Sequence, residues 1–299
     1  MKHVLKYFII LFSLFSITSA QIKSQTPILS GVNGGSYNLL AYDIKSVSSL
    51  PVKVIPSGGS LENYTNLVAN NNYKIAFMQN DVLYYMQNME TPDRTEYVKI
   101  LLPLASEEIH LVTLSDNNEI NTLDDLKGKR VAIGATTQGT NITAKLIKRQ
   151  TKIEWIDVEV GFQDAFNELL SGGVDAFFFV GASPVGKLNE LSSRSKNLLK
   201  LVLIEHKQLK KFYTPTVIKK GTYKWVDYDV PTFSVRTVLV ANILNETEKD
   251  KEVIISLLTD IKDNLEKLQI EGHPKWKEVN FNLKLIRWPI HRKAKRIFR

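Results

Sequence analysis

The chain of 299 residues contains no cysteine. That absence excludes disulfides, thiolate metal sites and lipid attachment at a processed cysteine. Histidine is scarce as well, and His3, His110, His206, His273 and His291 are scattered without metal-site spacing, so no metal is expected. No GxGxxG, HExxH or GxSxG string occurs, and Thr136-Thr-Gln-Gly-Thr140 lacks the lysine of a P-loop. No cofactor is expected. Charge of one sign is missing where it would matter. The formal charge is +8, yet Lys2 and Lys6 fall in the N-terminal segment. Arg287, Arg292, Lys293, Lys295, Arg296 and Arg299 crowd the last thirteen residues, which hold no acid. Residues 21–286 carry 31 basic and 31 acidic side chains. A nucleic-acid binder carries its basic footprint on the folded body, so that class is excluded. The basic tail reads as a solvated helix face or as a docking patch for a permease or anionic headgroups.

What is present begins with an export signal. Lys2, His3 and Lys6 precede an apolar run over residues 4–17, and Thr18-Ser19-Ala20 places small residues at the −3 and −1 positions. This is the three-part pattern of a secretory signal peptide over residues 1–20, with cleavage before Gln21. The rival reading, an uncleaved anchor, needs ~20 apolar residues to span a bilayer. No later run of that length is free of charge. A periplasmic protein is expected.

The remaining chain exceeds what one core usually serves, which favours two lobes. Short apolar runs alternate with helical stretches, the signature of an α/β architecture. Strands are expected at residues 52–56, 74–79, 131–134, 158–161 and 176–180, with one long extended passage over 101–114. Helices are expected at 61–70, 81–87, 141–149, 162–171, 183–191 and, as a single long element, 247–268. Thr122-Leu-Asp-Asp125 reads as a capping-box start.

One local design recurs: a strand ends, Gly, Ser or Thr follow, and a helix begins. It occurs at Gly34-Gly35-Ser36, Ser57-Gly-Gly-Ser60, Gln79-Asn-Asp81, Thr136 to Thr140 and Gly181 to Pro184. Such turns present unpaired N–H groups and the positive helix end, so they can hold a carboxylate or phosphate. In open α/β sheets, ligands bind outside the carboxyl ends of the strands, where these turns lie. Asp81 is either the N-cap of its helix or a ligand contact. Gln79 gains little structurally at a strand end and is the better contact. His110 reads as a hinge-strand residue.

Taken in order, these segments resemble the TAXI family of solute receptors that serve tripartite (TRAP) transporters. The matching stretches are Asn33-Gly-Gly-Ser-Tyr37, Pro56-Ser-Gly-Gly-Ser-Leu-Glu-Asn63, Ile75-Ala-Phe-Met-Gln-Asn-Asp-Val82, Ile109-His-Leu-Val112 and Leu123-Asp-Asp-Leu-Lys-Gly-Lys-Arg-Val-Ala-Ile-Gly134. Gln138-Gly-Thr140, Gly161-Phe162, Gly173-Val-Asp-Ala-Phe-Phe-Phe179 and Trp288-Pro-Ile-His291 complete the set. The resemblance implies a periplasmic-binding-protein-like fold of two α/β lobes joined by crossing hinge strands, with the ligand in the interlobe cleft. Lobe 1 would span 21–108 and 238–299, and lobe 2 would span 109–237. The implied role is capture of a small carboxylate, glutamate- or 2-oxoglutarate-like, for a TRAP-type permease, by a monomer.

Carried over, the ligand contacts would be Gly35, Ser36 and Tyr37 in the first turn and Ser57 and Ser60 in the second. Gln79 and Asp81, the second-lobe turn Gln138, Gly139 and Thr140, and Phe179 and Pro184 would complete them. The usual GTGG opening is Gly31-Val-Asn-Gly-Gly here, QSD has become Gln79-Asn-Asp81, and HPGA has become His291-Arg-Lys-Ala294. No basic residue lies inside the matching turns. A carboxylate would therefore be held by neutral donors and dipoles, or by a residue such as Arg236 brought close by folding. A sensory binding protein would look the same in sequence. An enzyme is the weakest reading, because the sequence places no base beside Ser57 or Ser60 and no paired carboxylates at a site-like spacing.

Overall fold

A computed structural model describes residues 25–194 and 198–299. The expected signal segment lies outside the described residues. The frame is one mixed sheet built on two long strands. The strands in chain order are β1 (Thr26–Leu29), β2 (Val52–Ile55), β3 (Ile75–Gln79), β4 (Val98–Leu114), β5 (Arg130–Ala132), β6 (Ile156–Val158), β7 (Ala176–Gly181), β8 (Leu199–Leu201), β9 (Thr214–Ile218) and β10 (Val230–Asn242). Their order is β2-β1-β3-β10-β4-β7-β5-β6, with β8 on β4 and β9 on β10. The first three are parallel, β5, β6 and β7 are parallel, and β10 runs antiparallel to both β3 and β4.

The 17-residue β4 is the extended passage expected over 101–114. Its first part pairs with the end of β10 beside β3, and its later part pairs with β7. Both β4 and β10 therefore run through two halves of the sheet. Register shifts fall between Arg236 and Val238 and between Leu239 and Val240. Irregularities of this kind bend and twist a ribbon.

The helices are α1 (Ser36–Val47), α2 (Ser60–Ala69), α3 (Asn80–Met89), α4 (Gly139–Thr151), α5 (Phe162–Ser171), α6 (Gly186–Arg194), α7 (Glu248–Asp263), α8 (Leu265–Glu271) and α9 (Arg292–Ile297). Helices α2, α4 and α5 pack directly on strands of the sheet, while α7 packs on α1 and α9. In α5 the buried residues are Phe162, Ala165, Phe166 and Leu169, the spacing of one helical face. Gly172 in the left-handed region then closes the helix. The capping box at Thr122 forms as expected, on a single 3-10 turn over Leu123–Leu126.

Two expectations change. The helix foreseen over 247–268 breaks at Asn264, which leaves α-helical geometry at φ −108° and ψ 15°. The strand β10 was not foreseen at all. The buried interior divides along the sheet. Ile28, Phe77, Leu102, Leu239 and Leu257 share one cluster, and Leu29, Met78, Val238 and Trp288 share another. Ile109, Val131, Phe178 and Val235 form a third, and Val112, Phe166, Phe177 and Tyr223 a fourth.

Candidate functional site

Three strand-to-helix turns converge beside β4. The strand β3 is buried over all five residues, and its period-two alternation carries Ile75, Phe77 and Gln79 to one face. Tyr37, in the first turn of α1, stacks on Phe77 with ring centroids 5.7 Å apart. Ser60 opens α2 behind Gly59, whose φ of +137° is a conformation that side chains disfavour. The Ser60 hydroxyl accepts the Gln79 N–H at 3.1 Å and lies 3.1 Å from the Tyr37 hydroxyl.

Glu107 stands at the centre. Its Oε2 accepts Gln79 Nε2–H at 2.6 Å and Tyr37 O–H at 3.3 Å, and the residue is 4% exposed. Burial pushes its carboxyl up to about 7 although Gln79, Thr237 and Tyr37 donate to it; Asp81 nearby raises it further. Asp81 is buried too, and its Oδ2 accepts Thr143 O–H at 2.7 Å and Tyr213 O–H at 3.0 Å. Burial, opposed by these donors, brings its carboxyl to about 6.

The turn before α4 closes over this cluster. Glu62 N–H donates to the Thr137 carbonyl at 3.2 Å, and the Gln138 Cα lies 3.4 Å from where a Gly59 Cβ would stand. A Cβ on Gly139 would fall 1.9 Å from Gln79 Oε1 and 2.9 Å from Ser60 Oγ. Glycine is required there by close approach rather than by backbone angle. Asp81 bridges the same seam, since Thr143 belongs to α4 and Tyr213 precedes β9. Among the described residues three buried side-chain acceptors have no hydrogen-bond partner: Gln79 Oε1, Asp81 Oδ1 and Asn63 Oδ1. Buried polar atoms are seldom left unpaired.

Of the contacts expected from sequence, Tyr37, Ser60, Gln79, Asp81 and Gly139 are brought together. Gly35 is the N-cap of α1, and Ser36 is its half-buried first residue. Ser57 Oγ donates to the Ser30 carbonyl and accepts Gly59 N–H, which serves its own turn. Gln138 Oε1 accepts Ala135 N–H at 3.0 Å. Thr140 Oγ1 accepts Val180 N–H at 3.1 Å. Each of these two bonds stays within its own half, with the side chain as acceptor.

Phe179 and Pro184 lie elsewhere. Phe179 pairs with His110 across β4 and β7, three residues along from Glu107 and so on the opposite face, where its ring packs on Phe162 at 5.1 Å. Pro184 is exposed. Asp81 is the second residue of α3, whose N-cap position Gln79 holds, and the backbone N–H groups at the start of that helix favour its carboxylate. Arg236 is also accounted for. It donates to the Leu104 carbonyl at 2.9 Å, and the acids that act on it are Glu278 and Glu108.

Sequence reasoning missed Glu107, Thr143 and Tyr213. The one available signal was a pair of acids, Glu107-Glu108, inside an otherwise apolar strand. Alternation sends Glu108 the other way, where Lys275 Nζ meets it at 3.1 Å and Ser183 N–H at 2.7 Å. The one serine–histidine approach near these strands is Ser183 Oγ to His110 Nε2 at 3.2 Å. His110 is wholly buried, its Nδ1 faces the Phe179 carbonyl, and burial lowers its pKa to about 4. Among the described residues no group of His, Asp and Glu is placed to hold a metal, and no helix is long and apolar enough to cross a membrane.

The family model of the NMT1-like family matches residues 28–299. The chain belongs to the NMT1-like family. The solved structures it resembles share its fold at low identity. An ancestral arginine-binding protein bound to arginine superposes with a TM-score of 0.52 at 18% identity, over 83% of this chain and 97% of that one. The periplasmic sulfonate-binding protein of a putative ABC transporter from Methylobacillus flagellatus gives 0.52 at 13%, over 91% and 76%. The substrate-binding protein of an amino acid ABC transporter gives 0.50 at 13%, over 84% and 100%. The fold of this NMT1-like chain is thus that of the periplasmic solute-binding proteins, as expected.

Proposed function

We propose that this chain is an extracytoplasmic solute-binding protein that captures a small molecule between lobe 1 (21–108 and 238–299) and lobe 2 (109–237) and presents it to a membrane transporter. The observation that carries this reading is the seam itself. Turns from the two halves meet over a buried polar cluster that keeps unpaired acceptors, a costly arrangement unless a ligand completes it. The strands β4 and β10 are the only continuous sheet connections across that seam among the described residues, so they are its hinges.

Capture would work by population shift. Solute bound to one lobe recruits groups from the other and favours closure in proportion to its differential affinity for the closed form. A TRAP-type permease is the partner that the resemblance implies, and the export signal expected over residues 1–20 would put the encounter in the periplasm. No chemistry is required of the site, because Ser183 and His110 are a buried packing pair with no carboxylate on Nδ1. The carboxylate ligand implied by the resemblance fits this cluster poorly, since Glu107 already takes the donors of Tyr37 and Gln79.

The test is unbiased as to ligand. The purified protein is unfolded thermally in the presence of a fractionated small-molecule extract of cells, and small-angle scattering follows its radius of gyration. A fraction that raises the unfolding temperature by several degrees and compacts the protein supports capture, since a ligand that binds only the folded state stabilises it. Full insensitivity of both readouts to every fraction overturns it.

A further inference from the structure

The chemistry of the solute can be read from what the seam leaves unpaired, given the capture reading above. The groups pointing into the seam divide unevenly into donors and acceptors. Two side-chain donors, Tyr37 O–H and Gln79 Nε2–H, are spent on Glu107 Oε2. Thr143 O–H and Tyr213 O–H are spent on Asp81 Oδ2. Two buried acceptors are left without a hydrogen bond, Gln79 Oε1 and Asp81 Oδ1, on residues 3% and 5% exposed.

Charge has the same sign. The groups that act most strongly on Glu107 are Gln79, Thr237, Tyr37 and Asp81, and those on Asp81 are Thr143, Tyr213 and the backbone at the start of α3. None is cationic. The nearby basic residues are committed to the other face of β4: Arg236 to the Leu104 carbonyl, and Lys275 to Glu108 and Glu278. The alternation of Glu107 and Glu108 along the strand separates the two systems.

We propose that the seam selects a small solute bearing N–H donors on a positive group, an ammonium or guanidinium, held by Asp81 Oδ1, Gln79 Oε1 and the Glu107 carboxylate. A solute carboxylate would be desolvated beside two buried acids of its own sign, which already take the donors of Tyr37, Gln79, Thr143 and Tyr213. A cation with several N–H bonds supplies what is missing. It partners the orphan acceptors, favours the charged form of both acids and needs no rearrangement of Tyr37 or Thr143. The Gly139 backbone lies directly over Gln79 Oε1, so such a group enters when this turn lifts, and it then lies between the two halves.

The experiment is isothermal titration calorimetry of the purified protein with two sets of probes. L-arginine, agmatine and putrescine form one set; L-glutamate, 2-oxoglutarate and succinate form the other. Each is measured on the wild type and on Glu107→Gln and Asp81→Asn, with cooperative thermal unfolding as the check that each variant folds. The expected result is binding by a member of the first set, weakened about tenfold or more in both variants. Binding by a dicarboxylate and not by an amine overturns the inference while solute capture stands. Amine binding that is equal in all three proteins overturns it too, because the solute then sits elsewhere. If every probe is silent the inference falls, and the extract experiment decides capture independently.

Discussion

Gln79 Nε2 donates to Glu107 Oε2 over 2.6 Å, while the carbonyl end of the same amide is left without a partner beneath Gly139. One side chain therefore organises a buried carboxylate with one end and turns an acceptor toward the start of α4 with the other. The consequences for closure, titration and stability can each be measured.

Gly139→Ala is expected to prop the seam open. The backbone tolerates alanine there, but the new Cβ would fall 1.9 Å from Gln79 Oε1. Small-angle scattering should show a larger radius of gyration than for the wild type. Affinity for any captured solute should fall in proportion to the lost closed population. An unchanged radius would mean that Gln79 swings aside instead.

The Asp81–Thr143 hydrogen bond spans the seam at 2.7 Å. A double-mutant cycle with Asp81→Asn and Thr143→Val should return a coupling energy of about 1–2 kcal/mol in thermal or denaturant unfolding. Additive effects would show that the two sides of the seam are not energetically joined there.

Glu107 and Asp81 are held at about 7 and about 6, above their ordinary values. For acids raised in this direction, the folded state keeps protons that the unfolded chain has released. Their contribution to stability is therefore greatest below about pH 4 and is lost as pH rises through 7. His110, lowered to about 4 by burial, works in the opposite sense over part of that range, so the comparison must be made against a variant. Relative to the wild type, Glu107→Gln should gain roughly 2–3 kcal/mol between pH 5 and pH 8. Thermal unfolding at the two pH values reads the gain, and a constant difference would contradict it.

Thr140→Val should lower stability by about 1–3 kcal/mol, since it leaves Val180 N–H buried without its acceptor. Its effect on solute affinity should be smaller than that of Asp81→Asn. The reverse order, in calorimetry and denaturant unfolding of the two variants, would return Thr140 to the ligand.

Lys275→Met should be the costliest of these substitutions, at about 3–5 kcal/mol. The Lys275 side chain is 8% exposed and its ammonium is shared by Glu108 and Glu278 at 3.1 and 2.6 Å, so its removal strands Glu108 inside the protein. A denaturation midpoint close to that of the wild type would show that water or Ser183 N–H suffices for Glu108.

Much of the architecture is local and could therefore be read from sequence alone. The helix α5 follows from four apolar residues at helical spacing ended by Gly172, and β7 from an unbroken apolar run between turn residues. The turns at Ser60, Gln79 and Gly139 were found because a strand end, small residues and a helix start lie within a few positions of one another. Local patterns carry no information about which turns meet. The Thr140 hydroxyl looked like a ligand contact, yet its oxygen accepts Val180 N–H, because only the packed fold sets those two atoms 3.1 Å apart. Phe179 looked cleft-facing and is not, because register across β4 and β7 decides which of three consecutive phenylalanines faces which side.

The polarity of the seam was likewise a tertiary decision. Glu107 is one of 31 acids in the sequence and lies 28 residues from Gln79 and 70 from Tyr37. The pairing of β4 with β10, and of β10 with β3, brings them together. The sequence by itself determined the alternation of strands and helices and the positions of the small-residue turns, since both depend on neighbouring residues and backbone preference. The tertiary structure alone decided that a carboxylate occupies the donors of the cleft, because burial and long-range pairing arise only when the sheet is assembled.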